Sequence, residues 1–192
     1  MDVGCTCRYD LDSDRYQGKE MKKAVAAVGV LVLSGCAVGK DPALSRYDGL
    51  SFVKNSYGQE YITSARFHFP GEPPKTRDAL PLCIAKNVDA LPVGAEVVRF
   101  MAEDKRRAVA EGATQFTQVT LMTPQTTTVR YTLDASIADD GRVYVFDKLD
   151  QRLEGSAGMG FIPIGAWSGS DGLEVVQELE RLAESINTCL SR

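Results

Sequence analysis

Residues 126–146 read TTTVRYTLDASIADDGRVYVF, and this stretch decides the fold. Val129, Tyr131 and Leu133 alternate with Thr128, Arg130 and Thr132, a period of two that sends apolar side chains to one face and polar ones to the other. Ala138-Asp139-Asp140-Gly141 is a hairpin signal, with Gly141 free to take a positive φ. The chain then returns through residues 142–146. Residues 116–122 form a further β segment just upstream. Three consecutive β segments with short joints predict an antiparallel meander.

Working outward, residues 61–69 alternate in the same way. Ala65, Phe67 and Phe69 point one way, and Ser64, Arg66 and His68 the other. Pro70-Gly71-Glu72-Pro73-Pro74 ends that strand, because prolines remove ladder donors. Residues 80–88 are more fully apolar and are expected to form a strand, as are residues 96–101. Residues 102–112 contain good helix formers, but the neighbouring strands favour a turn plus strand. The C-terminus is the clearest helix. Val176, Leu179, Ala183, Ile186 and Leu190 follow a 3-4-3-4 spacing, with Leu173, Val175 and Leu182 widening the stripe. Asp171, with Glu174 three residues later, is the expected N-terminal cap. The order predicts an α+β domain over residues 46–192, an antiparallel sheet with a C-terminal amphipathic helix packed on one face.

Ahead of this domain the chain changes character. From Met21 come Lys22-Lys23, the unbroken apolar run 24–33, and then Ser34-Gly35-Cys36. The run is about 15 Å long as a helix, half of the roughly 30 Å hydrocarbon core, so it suits an export signal better than a membrane span. Residues 21–36, with Leu33-Ser34-Gly35-Cys36 as a lipobox, resemble the signal of bacterial lipoprotein precursors. That resemblance implies cleavage before Cys36, a diacylglyceryl group on its thiol and usually an acylated new amine. Two or three acyl chains make a stable anchor where one is marginal. Ala37, in place of the Asp that favours inner-membrane retention in enterobacteria, implies the outer membrane. Residues 37–45 (AVGKDPALS) read as a polar tether, so the tether including Cys36 spans 36–45.

Residues 1–20 do not fit this scheme. They are polar, with Asp10, Asp12 and Asp14 close together, and have the composition of a disordered segment. Translation is expected to start at Met21. Cys5 and Cys7 form a CxC pair without partner ligands nearby, so no metal site or other cofactor is expected.

A formal charge of -4, spread along the chain, gives no basic run for nucleic acid and no acidic tail. Cys83 and Cys189 remain in the exported part, and an even pair in the periplasm is usually oxidised. The expected bridge ties the C-terminal helix to an early strand.

Residue types that carry chemistry are few. His68 is the only histidine, on a polar strand face beside Arg66, and reads as a surface residue. Asp134, Asp139, Asp140 and Asp147 gather near the hairpin, yet turn chemistry explains Asp139 and Asp140. Ser156, Ser168 and Ser170 lack a GxSxG setting. The glycine-rich segment 155–172 is expected to lie as a packed loop across the sheet edge, with Phe161, Ile162 and Trp167 plugging the core. Its functional alternative makes Phe161 and Trp167 aromatic contacts for a partner or glycan. The composite expectation is a lipid-anchored, periplasm-facing module of the outer membrane that binds an envelope protein or glycan without a catalytic centre. The alternatives are a carboxylate-dependent envelope hydrolase and an anchored small-ligand binder.

Overall fold

In the computed structural model the alternating segments pair into one seven-stranded antiparallel sheet. The structure describes residues 39–192 apart from 75, 77, 91–93, 121, 122 and 156–159. The expectations for residues 1–38, including the signal and Cys36, lie outside the described residues. The strands are β1 (Leu50–Lys54), β2 (Glu60–Pro70), β3 (Val98–Met101), β4 (Arg107–Thr120), β5 (Thr123–Ile137), β6 (Gly141–Leu153) and β7 (Ile162–Gly165). Two helices, α1 (Ala79–Asn87) and α2 (Gly172–Leu190), complete the α+β fold.

The sheet order is β1-β2-β7-β6-β5-β4-β3. Strands β3 to β6 are sequence neighbours that pair in turn, as the hairpin signals imply. The sheet as a whole is not a simple meander, because the β1–β2 hairpin and β7 lie on the far side of β6. Residues 102–106 form the turn into β4. Between β5 and β6, Ala138 N–H donates to Gly141 O at 2.8 Å. Glycine is required there sterically, since a Cβ would fall 2.6 Å from Phe69 O and 2.7 Å from His68 Nε2.

One face of the sheet is apolar. Phe67 of β2, Ala108 and Ala110 of β4, Val129, Tyr131, Leu133 and Ala135 of β5, and Tyr144 and Phe146 of β6 are buried together with α2 residues Val175, Val176, Leu179, Leu182, Ala183, Ile186 and Leu190. Helix α2 touches β2, β4 and β6. The Asp171 cap does not form; its carboxylate instead accepts from Gln118 Nε2 of β4 at 2.8 Å. The far end of α2 is held by buried Arg142, whose Nη1 donates to Asn187 O (3.1 Å), Asn187 Oδ1 (2.8 Å) and Ser191 Oγ (2.7 Å). A cation at the last turn meets the negative end of the helix dipole and its orphan carbonyls.

Residues 80–88, expected as a strand, are helix α1 and the residue after it. Leu80, Cys83 and Ile84 are its buried residues, at helical i, i+3, i+4 spacing, and Pro81 sits in the first turn, where its missing N–H costs no helix bond. The cysteine bridge therefore joins two helices rather than a helix and a strand. Cys83 and Cys189 are disulfide-bonded, with Cα atoms 5.7 Å apart across 106 positions of sequence. Residues 40–45, read as part of the tether, are docked: Asp41 N–H donates to Ala166 O at 2.8 Å, and Leu44, in a 3₁₀ turn at Pro42–Arg46, is 1% exposed.

Replacing both Cys83 and Cys189 with Ala should lower unfolding free energy by about 2–5 kcal/mol, measured by denaturant titration. Non-reducing peptide mapping of the unmodified protein should show the joined peptides; free thiols at both positions would refute the bridge.

Burial raises the phenols of Tyr131 and Tyr144 well above the ordinary value of 10.0, the Tyr131 shift being augmented by Asp89 and Glu178. Neither hydroxyl has a hydrogen-bond partner among the described residues. The folded chain therefore keeps two protons that the unfolded chain releases near pH 10. Stability contributed this way is complete below that pH and declines as pH climbs toward the folded values. Melting temperature is expected to drop above about pH 10, and the Tyr131→Phe/Tyr144→Phe double variant should flatten that drop without loss at neutral pH.

Candidate functional site

The face of the sheet opposite the core carries most of the polar alternating positions, together with Val109 of β4 and Val143 and Val145 of β6. Arg66 and His68 of β2, Arg107 of β4 and Arg130 of β5 are exposed there, beside half-buried Thr132 and Asp134 of β5 and Asp147 of β6. Ion pairs lace it together. Arg107 grips Asp134 through Nε (3.0 Å) and Nη2 (2.6 Å), and Arg99 Nε meets Glu111 at 3.0 Å. Arg130 donates to Asp150 Oδ2 from both Nε (3.1 Å) and Nη2 (2.6 Å). Exposed pairs of this kind contribute roughly 0–1 kcal/mol each, so their main effect here is to hold side chains in place.

Two irregularities interrupt the weave at the same level. On β6 the register passes from Thr132↔Asp147 to Arg130↔Asp150, so Lys148 and Leu149 together oppose Tyr131. Lys148 has φ 53°, a left-handed backbone that costs a non-glycine residue about 1 kcal/mol or more. On β2 the pairing passes from Ser51↔Ser64 to Phe52↔Ile62, leaving Thr63 as the extra residue. Above this level β2 pairs directly with β6; below it β7 enters, with Ile62↔Ile164 on one side and Asp150↔Pro163 on the other. The sheet forks, and β7 fills the fork.

Two hollows border this fork and share Lys148 and Asp150. One, of about 550 Å³, is lined by Glu111, Arg130, Thr132, Lys148, Arg152 and Phe161. The other, of about 580 Å³, lies against Val53, Tyr61, Ile62, Thr63, Leu149 and Pro163. In the first, the guanidinium carbons of Arg130 and Arg152 lie 4.4 and 5.0 Å from the Phe161 ring centroid. Such contacts orient a guanidinium by attraction to the ring's negative face.

Trp167 marks a third hollow at the other end of β7, beside Tyr61, Gln151 and Pro163. Its ring meets Tyr61 edge-on, with centroids 5.4 Å apart. Backbone pairing ties Lys40 to Trp167, and Lys40 Nζ lies 3.4 Å from the Phe52 ring centroid. Ser170 Oγ donates within the turn that follows, to Trp167 O at 2.6 Å.

Segment 155–172 therefore contains β7 between two strands instead of a loop laid across an edge. Phe161 and Trp167 are half-buried and Ile162 is 48% exposed, so these residues do not plug the core. The plugging residues are Ile164 and Ala166, because the strand alternation turns position 164 inward. Phe161 and Trp167 sit at opposite ends of β7, each in its own hollow. Arg130, Lys148 and Arg152 were not singled out by sequence. The usable signal was a slip in the apolar alternation, from Tyr144 and Phe146 to Leu149, an interval of three where two is the strand period. Of the hairpin carboxylates, Asp134 is held by Arg107 and Asp139 by Arg106 at 2.6 Å. Cys36 lies outside the described residues.

No family model and no curated protein matches this chain. Among solved structures, a DUF4468 family protein from Bacteroides ovatus ATCC 8483 is similar at 11% identity, covering 79% of this chain and 90% of that chain with a TM-score of 0.38.

Gly165 tests the packing at Trp167. A Cβ there would fall 2.7–2.9 Å from three atoms of the indole ring. Gly165→Ala is expected to displace the ring from Tyr61, red-shift the emission of the sole tryptophan and cost about 1–3 kcal/mol. Unchanged fluorescence would show that the ring does not rest on this glycine.

Proposed function

We propose that this chain is a lipoprotein of the bacterial cell envelope, anchored in the outer membrane through acylated Cys36 and presenting its α+β domain to the periplasm as a binding module without a catalytic centre. The observation that carries the reading is the order Lys22-Lys23, apolar run, Leu33-Ser34-Gly35-Cys36. Support comes also from the Cys83–Cys189 bridge, which an oxidising compartment favours. A third support is spatial. Lys40 is paired to Trp167, and four Cα steps from Cys36 reach at most about 14 Å. The Trp167–Tyr61 corner would then stand close to the lipid headgroups, where amphipathic aromatic rings are favoured.

Binding fits the surface better than catalysis does. The hollows around β7 are broad and open, and they mix oriented cations with aromatic and aliphatic side chains. The partner is an envelope protein or a glycan, met on the open face and around Phe161.

Replacing Cys36 with Ser should abolish labelling by radioactive palmitate and release the protein from the outer-membrane fraction. Retained label in that variant would overturn the anchor.

A further inference from the structure

We propose that the Phe161 hollow binds an oxyanion, a phosphate or carboxylate, carried on a small ligand whose apolar part lies in the adjoining hollow of the fork. The inference goes beyond the binding-module reading by adding a small-ligand site to that face, and its test needs no membrane anchor.

Charge accounts for the first half. Arg130, Lys148 and Arg152 converge on this hollow, and the two carboxylates that line it, Glu111 and Asp150, are ion-paired. Asp150 is held by Arg130, Glu111 by Arg99, and Glu154 accepts from Gln115 Nε2 at 3.3 Å. Among the described residues neither Lys148 nor Arg152 is ion-paired. The hollow thus presents two cations without an ion pair among the described residues, beside a third, Arg130, held by Asp150. Arg152 is oriented as well, by the Phe161 ring at 5.0 Å. Donors ordered before binding lose less entropy when the anion arrives, and a guanidinium matches an oxyanion's geometry where a lone ammonium acts as a point charge.

Backbone strain is the second, independent observation. Lys148 holds φ 53° in mid-strand, where glycine or asparagine would be the unstrained choice. A bulge re-aims its side chain, and both hollows are lined by Lys148. Strain of this kind persists where the surrounding structure enforces it and concentrates at ligand sites.

Shape supplies the ligand's remainder. The adjoining hollow presents Val53, Leu149 and Pro163, with Val53 52% exposed, so an apolar portion has a surface to cover. Each hollow, at about 550 and 580 Å³, has the size of a small-molecule site.

The test is a titration of the full chain followed by NMR of the arginine Nε–H and backbone amide signals at constant ionic strength. Inorganic phosphate and acetate probe the anion alone, octyl phosphate adds an apolar tail below its micellar concentration, and phosphatidylglycerol vesicles against phosphatidylcholine vesicles probe a lipid source. Saturable shifts at Arg152 and Lys148 are expected with phosphate or acetate, and octyl phosphate should bind about tenfold tighter or more. Arg152→Gln should weaken phosphate at least about fivefold, whereas Arg107→Gln, across the open face, should leave it unchanged. Lys148→Gly removes charge and strain together, so it should weaken binding while holding or raising the melting temperature. A phosphatidylglycerol response lost in Arg152→Gln assigns the lipid headgroup as a source; one retained there, or absence of saturable binding by every soluble probe, overturns the proposal. Failure of palmitate labelling at Cys36 would leave these outcomes unaffected.

Discussion

The fork at Thr63 and Lys148 is the constraint from which the surface of this protein follows. A thirteen-residue strand such as β6 twists along its length, and its edge facing β2 is served by two partners in turn, β2 and then β7. Here β2 accompanies β6 only as far as Ser64↔Asp147. Both strands then spend one extra residue, and the widening gap is closed by four residues of β7. Closure saves the backbone donors and acceptors that an open gap would leave unpaired. It also moves Lys148 and Asp150 to the junction of two hollows, which an unbroken ladder would not have formed.

Beneath the fork the sheet is held by a different set of forces. The apolar half of each strand meets the stripe of α2, and the helix is fixed at three places along its length. Gln118 reaches Asp171 at its start, Thr114 donates to Glu178 Oε1 at 2.5 Å near its middle, and Arg142 takes the carbonyls at its end. Glu178, 8% exposed, is further neutralised by Arg181 at 2.5 Å. A buried carboxylate without such partners would be costly. The disulfide then couples α1 to the last turn of α2, constraining the unfolded chain over most of the domain's length. The rigidity that positions the open face is therefore built on the opposite side of the sheet.

What could be read from sequence follows from which signals are local. The alternation in 126–146 and 61–69 placed β5, β6 and β2 on the correct faces, because a strand with one buried face writes its period directly into the chain. The α2 stripe was legible for the same reason, at a period of 3.6. Residues 80–88 misled because Leu80, Cys83 and Ile84 sit within a short, nearly continuous apolar run, where strand and helix are distinguished only by a single i, i+3, i+4 set. The carboxylate of Asp171 has a distant partner in Gln118, and no local pattern reports that. At the site, Phe161 stood out by type, whereas Arg130, Lys148 and Arg152 looked like ordinary solvent-facing residues. Their convergence depends on two phase slips, Ile62 to Ala65 and Phe146 to Leu149, which are visible in sequence only when the interval between apolar residues is counted.

Strand β7 also sets a distance between the two ends of this surface. Phe161 and Trp167 flank it, and six extended residues span at most about 20 Å. Lys40 pairs with Trp167 at that end. With Cys36 acylated as proposed, the short reach to Lys40 confines the Trp167 end to the membrane's surface layer, and the length of β7 then confines the Phe161 hollow to within about 35 Å of the headgroups. A ligand bearing an apolar portion and an oxyanion is a component that such a layer concentrates. Under that proposed anchoring, the short connection would also limit how far the domain could travel, so a partner would have to come to the inner face of the membrane or already reside there.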